Sequence, residues 1–108
     1  MDQDELEFKV DVEGSVVAPR GELDVATQGM LREVLERQAA RGEVTLDLSG
    51  LRFLDTSGLR LVLETAEAAR RDGFAFTVLP GSPAVQRPFD LAGVTELVPF
   101  RDAGEGAS

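Results

Sequence analysis

Val44-Thr45-Leu46-Asp47-Leu48-Ser49-Gly50-Leu51-Arg52-Phe53-Leu54-Asp55-Thr56-Ser57-Gly58-Leu59 is the stretch on which the fold of this chain turns. Its opening residues alternate apolar and polar side chains, the period-two pattern of a half-buried strand. Beyond the junction, Leu59, Val62, Leu63 and Ala66 recur at helical spacing, and Arg70-Arg71 before Asp72-Gly73 suits a helix end, where cations meet the negative pole of the dipole. Asp55, Thr56 and Ser57 are residue types whose side-chain oxygens accept the orphan N–H groups of a first helical turn. The pattern predicts a strand over 44–48, a helix over about 57–71, and Ser57 at the helix N-terminus near the surface. The helix dipole favours an anion there by roughly 0.3–1 kcal/mol, so a phosphate on that hydroxyl would not unfold the domain.

Working towards the N-terminus, Phe8, Val10 and Val12 alternate with Lys9, Asp11 and Glu13, and Gly14-Ser15 separates them from Val16-Val17-Ala18. That is a hairpin of two strands. Pro19 and Gly21 disturb the second strand near its end, which predicts a bulge or an edge position. Leu31, Val34, Leu35 and Gln38-Ala39 then fall at helical spacing, with Gly42 as the stop and either Asp24 or Thr27 as the cap. Towards the C-terminus, Phe74, Phe76 and Val78 alternate as a further strand. A short helix follows from Pro83 to about Leu91, with Ser82 as cap, Pro83 at the first helical position and Gly93 as the end. Residues 95–100 read as a last short strand. Residues 102–108 are small, polar and glycine-rich, and read as a flexible tail behind a single domain of residues 1–101. Strands alternating with helices predict an α/β domain, with parallel pairing after the hairpin and one sheet face covered more thickly than the other.

Composition narrows the chemistry. A chain of 108 residues has room for one core that buries roughly 60–70% of its unfolded surface. Its 20 acidic and 11 basic residues give a formal charge of −9, and the basic side chains are scattered, which argues against nucleic acid as a partner. The same charge would attract a basic protein surface. With no His, no Cys and the single lysine Lys9, a nucleophilic serine has no partner base of the usual kind, and a carboxylate such as that of Asp55 is a poor substitute. No catalytic residue is therefore assigned. Neither a metal site nor a cofactor is expected, since Cys and His ligands are missing and no Gly-rich phosphate loop follows a strand. The acidic start Met1-Asp2-Gln3-Asp4-Glu5 is unlike a signal peptide, and no apolar run approaches the ~20 residues of a membrane span, so a cytoplasmic protein is expected.

Three blocks occur in order: Gly21-Glu22-Leu23-Asp24; Leu46-Asp47-Leu48 through Phe53-Leu54-Asp55-Thr56-Ser57-Gly58-Leu59; and Ser82-Pro83-Ala84-Val85 through Phe89-Asp90-Leu91-Ala92-Gly93. Together they resemble the STAS domain family (sulfate transporter and anti-sigma factor antagonist), above all the free-standing bacterial anti-sigma factor antagonists, over residues 8–100. The resemblance implies a mixed sheet of about five strands packed with about three helices. It also implies phosphorylation of Ser57, with Thr56 as the fallback acceptor, by a partner that is both serine kinase and anti-sigma factor, and resetting by a phosphatase. The unphosphorylated protein would hold the anti-sigma factor through Asp24, Asp55, Thr56, Ser57 and Gly58, and so release a sigma factor. Asp24 matches a family aspartate near the acceptor serine, and simple capping of the first helix is the equal alternative for it. Relatives often carry a further C-terminal helix, which residues 102–108 have no apolar periodicity to form, so contacts made through it are not expected; a homodimer is left open. Two other functions fit the fold class. One is a cytosolic STAS subunit of a lipid or anion transporter, which would need no acceptor serine; the other is a scaffold unit, which would usually bring a further domain.

Overall fold

A computed structural model of the chain describes residues 7–101. The opening hairpin consists of β1 (Lys9–Glu13) and β2 (Val16–Leu23), and it turns through Gly14, whose φ of 62° suits a residue without a Cβ. There follow α1 (Gln28–Ala39), β3 (Glu43–Asp47), β4 (Leu51–Leu54), α2 (Thr56–Asp72), β5 (Ala75–Leu79) and α3 (Pro83–Ala92). β1 and β2 are antiparallel, whereas β2 pairs parallel with both β3 and β4, and β3 parallel with β5. The expected mixed sheet of five strands with three helices is present.

Register accounts for the alternation in the sequence. Val17, Leu46 and Val78 align across β2, β3 and β5, and all three are fully buried. α1 packs against β2 and β3, and α2 against β4 and β5. Leu31 of α1, Val62 of α2 and Phe89 of α3 complete this core; each fully buried side chain of this kind contributes roughly 1.5–3 kcal/mol. Val16, Thr45 and Thr77 align on the opposite pleat. Near them Asp11, Glu13 and Arg20 are exposed, with Arg20 and Asp11 in an ion pair at 3.2 Å. The two faces are thus unequally covered, as the alternation predicts.

Two strand expectations need correction. Residues 51–54, which the sequence presents only as the approach to the helix, form β4. Its burial does not alternate, because Gly21 pairs with Leu51 but Glu22 with Phe53, leaving Arg52 as the extra residue of a bulge. Residues 95–100, expected as the last strand, instead form a 3-10 turn over Thr95–Leu97 and a single parallel bridge from Phe100 to Val78. Pro99 has no N–H for a ladder, and the Phe100 N–H turns back to the Val98 carbonyl at 2.7 Å.

The disturbance expected around Pro19 and Gly21 is the bulge, not an edge. β2 lies inside the sheet, and Pro19 falls between the part of the strand paired with β3 (Val16, Val17) and the part paired with β4, where a missing donor is tolerated. The expected tail at 102–108 lies outside the described residues.

Candidate functional site

Two adjacent parallel strands assemble the site. Leu23 at the end of β2 pairs with Leu54 at the end of β4, and both are buried. The residues that follow them, Asp24 and Asp55, therefore leave the sheet side by side at its carboxyl edge, on strands typically about 4.8 Å apart. A backbone bond from the Asp55 N–H to the Leu23 carbonyl, at 3.1 Å, extends the pairing to the base of the site. One strand then enters the loop to α1; the other enters α2 at once.

Asp55 is the cap of α2. Its backbone is extended, and Oδ1 accepts the N–H groups of Ser57 at 2.8 Å and Gly58 at 3.2 Å. Thr56 opens the helix and Ser57 is its second residue, so the hydroxyl stands in the first turn without serving as the cap. Ser57 is half-buried and Thr56 exposed. The described residues engage the backbone N–H of Ser57 but not its hydroxyl, which is left free to react. Gly58 is buried against both strand ends: a Cβ there would lie 2.8 Å from Cγ of Leu23 and 3.0 Å from Cγ of Leu54. Its role is to let the helix start sit close to the sheet, which sets the height of Ser57 above it.

Asp24 does not cap α1. Its Oδ1 accepts the N–H groups of Ala26 at 3.0 Å and Thr27 at 3.1 Å, which closes a turn ahead of the helix. Thr27 occupies the cap position, but its side chain makes no capping bond. Its hydroxyl instead donates to the Glu22 carbonyl at 2.8 Å and accepts the Asp24 N–H at 2.9 Å. All five residues expected at the site, Asp24, Asp55, Thr56, Ser57 and Gly58, are thus gathered at one end of the sheet.

Three exposed apolar side chains accompany them and went unnoticed in the sequence: Val25 at 75% exposure, Met30 at 53% and Phe53 at 47%. Val25 adjoins Asp24, Met30 lies in the first turn of α1 and Phe53 is two residues before Asp55. Exposed apolar side chains on the segments that carry Asp24 and Asp55 suit a protein surface better than a small polar substrate. No group of three or more His, Cys, Asp or Glu among the described residues is placed to hold a metal ion.

The family model of the STAS domain matches residues 5–107. The chain belongs to the STAS domain family. Among its relatives within that family is an anti-sigma F factor antagonist of Paenibacillus polymyxa, 30% identical over 90 residues, which are 81% of this chain and 77% of the relative. An anti-sigma factor antagonist of Mycobacterium paratuberculosis superposes with a TM-score of 0.73 at 28% identity, over 87% of this chain and 83% of that one. The Bacillus cell fate determinant SpoIIAA in its phosphorylated form superposes with a TM-score of 0.61 at 26% identity, over 94% and 95% of the two chains. The fold here is therefore shared with SpoIIAA, whose unphosphorylated form, described as an anti-sigma factor antagonist, superposes with a TM-score of 0.66 at 27% identity, over 94% and 91% of the two chains.

Proposed function

We propose that this STAS protein is an anti-sigma factor antagonist that binds its anti-sigma factor while Ser57 is free and lets go when Ser57 carries phosphate. The observation that carries the reading is the free Ser57 hydroxyl in the first turn of α2, at the sheet end from which Asp24 and Asp55 leave, with Val25, Met30 and Phe53 exposed on the segments next to them in the chain. The apolar side chains supply the area a protein partner can cover, and the acidic surface draws a basic one. The anti-sigma factor serves as the serine kinase. Ser57 Oγ attacks the γ-phosphorus of the ATP it holds, the bond to ADP breaks, and the hydroxyl proton passes to a base of the kinase. A phosphatase restores the hydroxyl with water and releases inorganic phosphate. Partners of this kind support a cytoplasmic location as part of the reading; among the described residues no helix is long and apolar enough to cross a membrane. The antagonist names of its relatives favour this reading over a transporter subunit.

The deciding experiment is incubation with the cognate kinase and ATP, followed by mass-spectrometric mapping. Phosphate is expected on Ser57 and absent from the Ser57→Ala variant, which should stay bound to the kinase. Modification of neither Ser57 nor Thr56, together with tight binding to a transporter ATPase, would install the transporter reading instead.

A further inference from the structure

Thr27 stands where a helix cap belongs and does other work. Its Oγ1 accepts the Asp24 N–H at 2.9 Å and directs its one proton to the Glu22 carbonyl at 2.8 Å, with Asp24 Oδ1 as the longer branch of the same donor at 3.2 Å. Its own N–H adds a bond to Asp24 Oδ1 at 3.1 Å. One side chain thereby ties the strand end at Glu22 to the backbone and the carboxylate of Asp24. Oδ1 is taken up by donors of its own loop, so Oδ2 is the oxygen left for an incoming group. The tie matters because the bulge at Arg52 of β4 interrupts the ladder opposite Gly21 and Glu22 and the ladder ends at Leu23; beyond it the Thr27 and Gln28 N–H groups on the Asp24 carbonyl, at 3.2 and 2.9 Å, close the turn, and the Thr27 hydroxyl is what joins that turn back to the strand.

We propose that Thr27 is a positioning residue for phosphorylation: its hydroxyl holds the β2–α1 loop so that Asp24 presents Oδ2 beside Ser57 when the kinase docks. This rests on the phosphoswitch reading and adds a residue to it. The hydroxyl takes no part in the transfer, in which the Ser57 Oγ–P bond forms, the bond to ADP breaks and the proton leaves to the kinase.

Thr27→Val keeps the shape and removes the hydroxyl; Thr27→Ser keeps the hydroxyl. Single-turnover transfer at saturating kinase, scored on folded protein, should fall about tenfold or more in Thr27→Val, as misplaced groups at a transfer site do. The Kd for the kinase should stay within about a factor of three, and Thr27→Ser should recover most of the rate. A double-mutant cycle supplies the readout that a purely structural role would not move: in an Asp24→Asn background, Thr27→Val should cost nothing further. An equal loss in both backgrounds, an unchanged saturated rate with only a lower melting temperature, or an Asp24→Asn protein that is phosphorylated normally would each overturn the assignment. Ser57→Ala separates the two layers. If it is still phosphorylated, the site reading itself fails; if it is inert while Thr27→Val reacts normally, only the role of Thr27 fails.

Discussion

A phosphate on Ser57 would enter a first turn in which the N–H groups of Ser57, Gly58 and Leu59 already have acceptors. Asp55 Oδ1 holds those of Ser57 and Gly58, and the Leu59 N–H goes to the Asp55 carbonyl at 2.9 Å. The phosphate would gain the helix field, roughly 0.3–1 kcal/mol, and lose a similar amount to the neighbouring carboxylates. Ser57→Asp is therefore expected to melt within about 1 kcal/mol of the wild type. Binding should respond differently: a phosphoserine brings about −1.5 to −2 charge, and burying it against a partner without a basic counterpart costs several kcal/mol. Phosphorylation should weaken the complex about a hundredfold or more, with every ~1.4 kcal/mol counting tenfold; calorimetric titration of the kinase with each form checks both halves. Asp55 acts on the other side of this balance. Asp55→Ala removes two bonds of the cap and should cost about 1 kcal/mol of stability in a denaturant titration, a loss that Asp55→Asn, with an acceptor oxygen in place, should largely avoid.

At the scale of elements, α2 is the piece that had to be seated most closely, and Gly58 is what allows it. Gly58→Ala would press a methyl into Leu23 and Leu54, whose Cγ atoms can yield only by leaving their packed rotamers in the buried core or by moving the strand ends, so a loss of about 1–3 kcal/mol is expected in thermal or chemical unfolding. The far end of α2 predicts a small pH effect. Arg70, bonded to Glu67 at 2.7 Å, holds the Glu67 carboxyl below its ordinary range. A lowered folded-state pKa contributes stability above the unfolded pKa, which is lost as pH falls through the folded value. Because the pair is exposed, Arg70→Gln should flatten the acid limb of a stability curve only slightly. The helices and β1, β2, β3 and β5 were legible because each repeats apolar side chains at a regular period along the sequence. β4 was not, since Arg52 breaks the alternation, and residues 95–100 misled because valine and phenylalanine suit a strand that Pro99 cannot join. At the site, hydroxyl and carboxylates could be named from residue type and order. The loop role of Thr27 could not, because local sequence does not say whether a threonine hydroxyl turns towards the helix or back to the strand.

Over the whole molecule the formal charge of −9 outweighs any single contact in setting how fast a partner arrives. The ion pairs Asp11–Arg20, Arg32–Glu64, Glu67–Arg70 and Arg71–Asp72 are all exposed and contribute little to stability. The association rate with a basic anti-sigma surface should drop about tenfold between low salt and ~0.5 M, where screening is nearly complete, while the dissociation rate barely moves. Stopped-flow measurement across that range tests it, and a salt-independent on-rate would rule out steering. The joint between Leu23 and Leu54 carries one more consequence. Asp24 and Ser57 are far apart along the chain and become neighbours only when β2 and β4 have zipped together. A kinase that needs both is inspecting a conformation and not a word of sequence. A synthetic peptide covering residues 50–64 contains the acceptor serine yet should be a very poor substrate, so that newly made or damaged copies of the protein would escape marking until their sheet is complete.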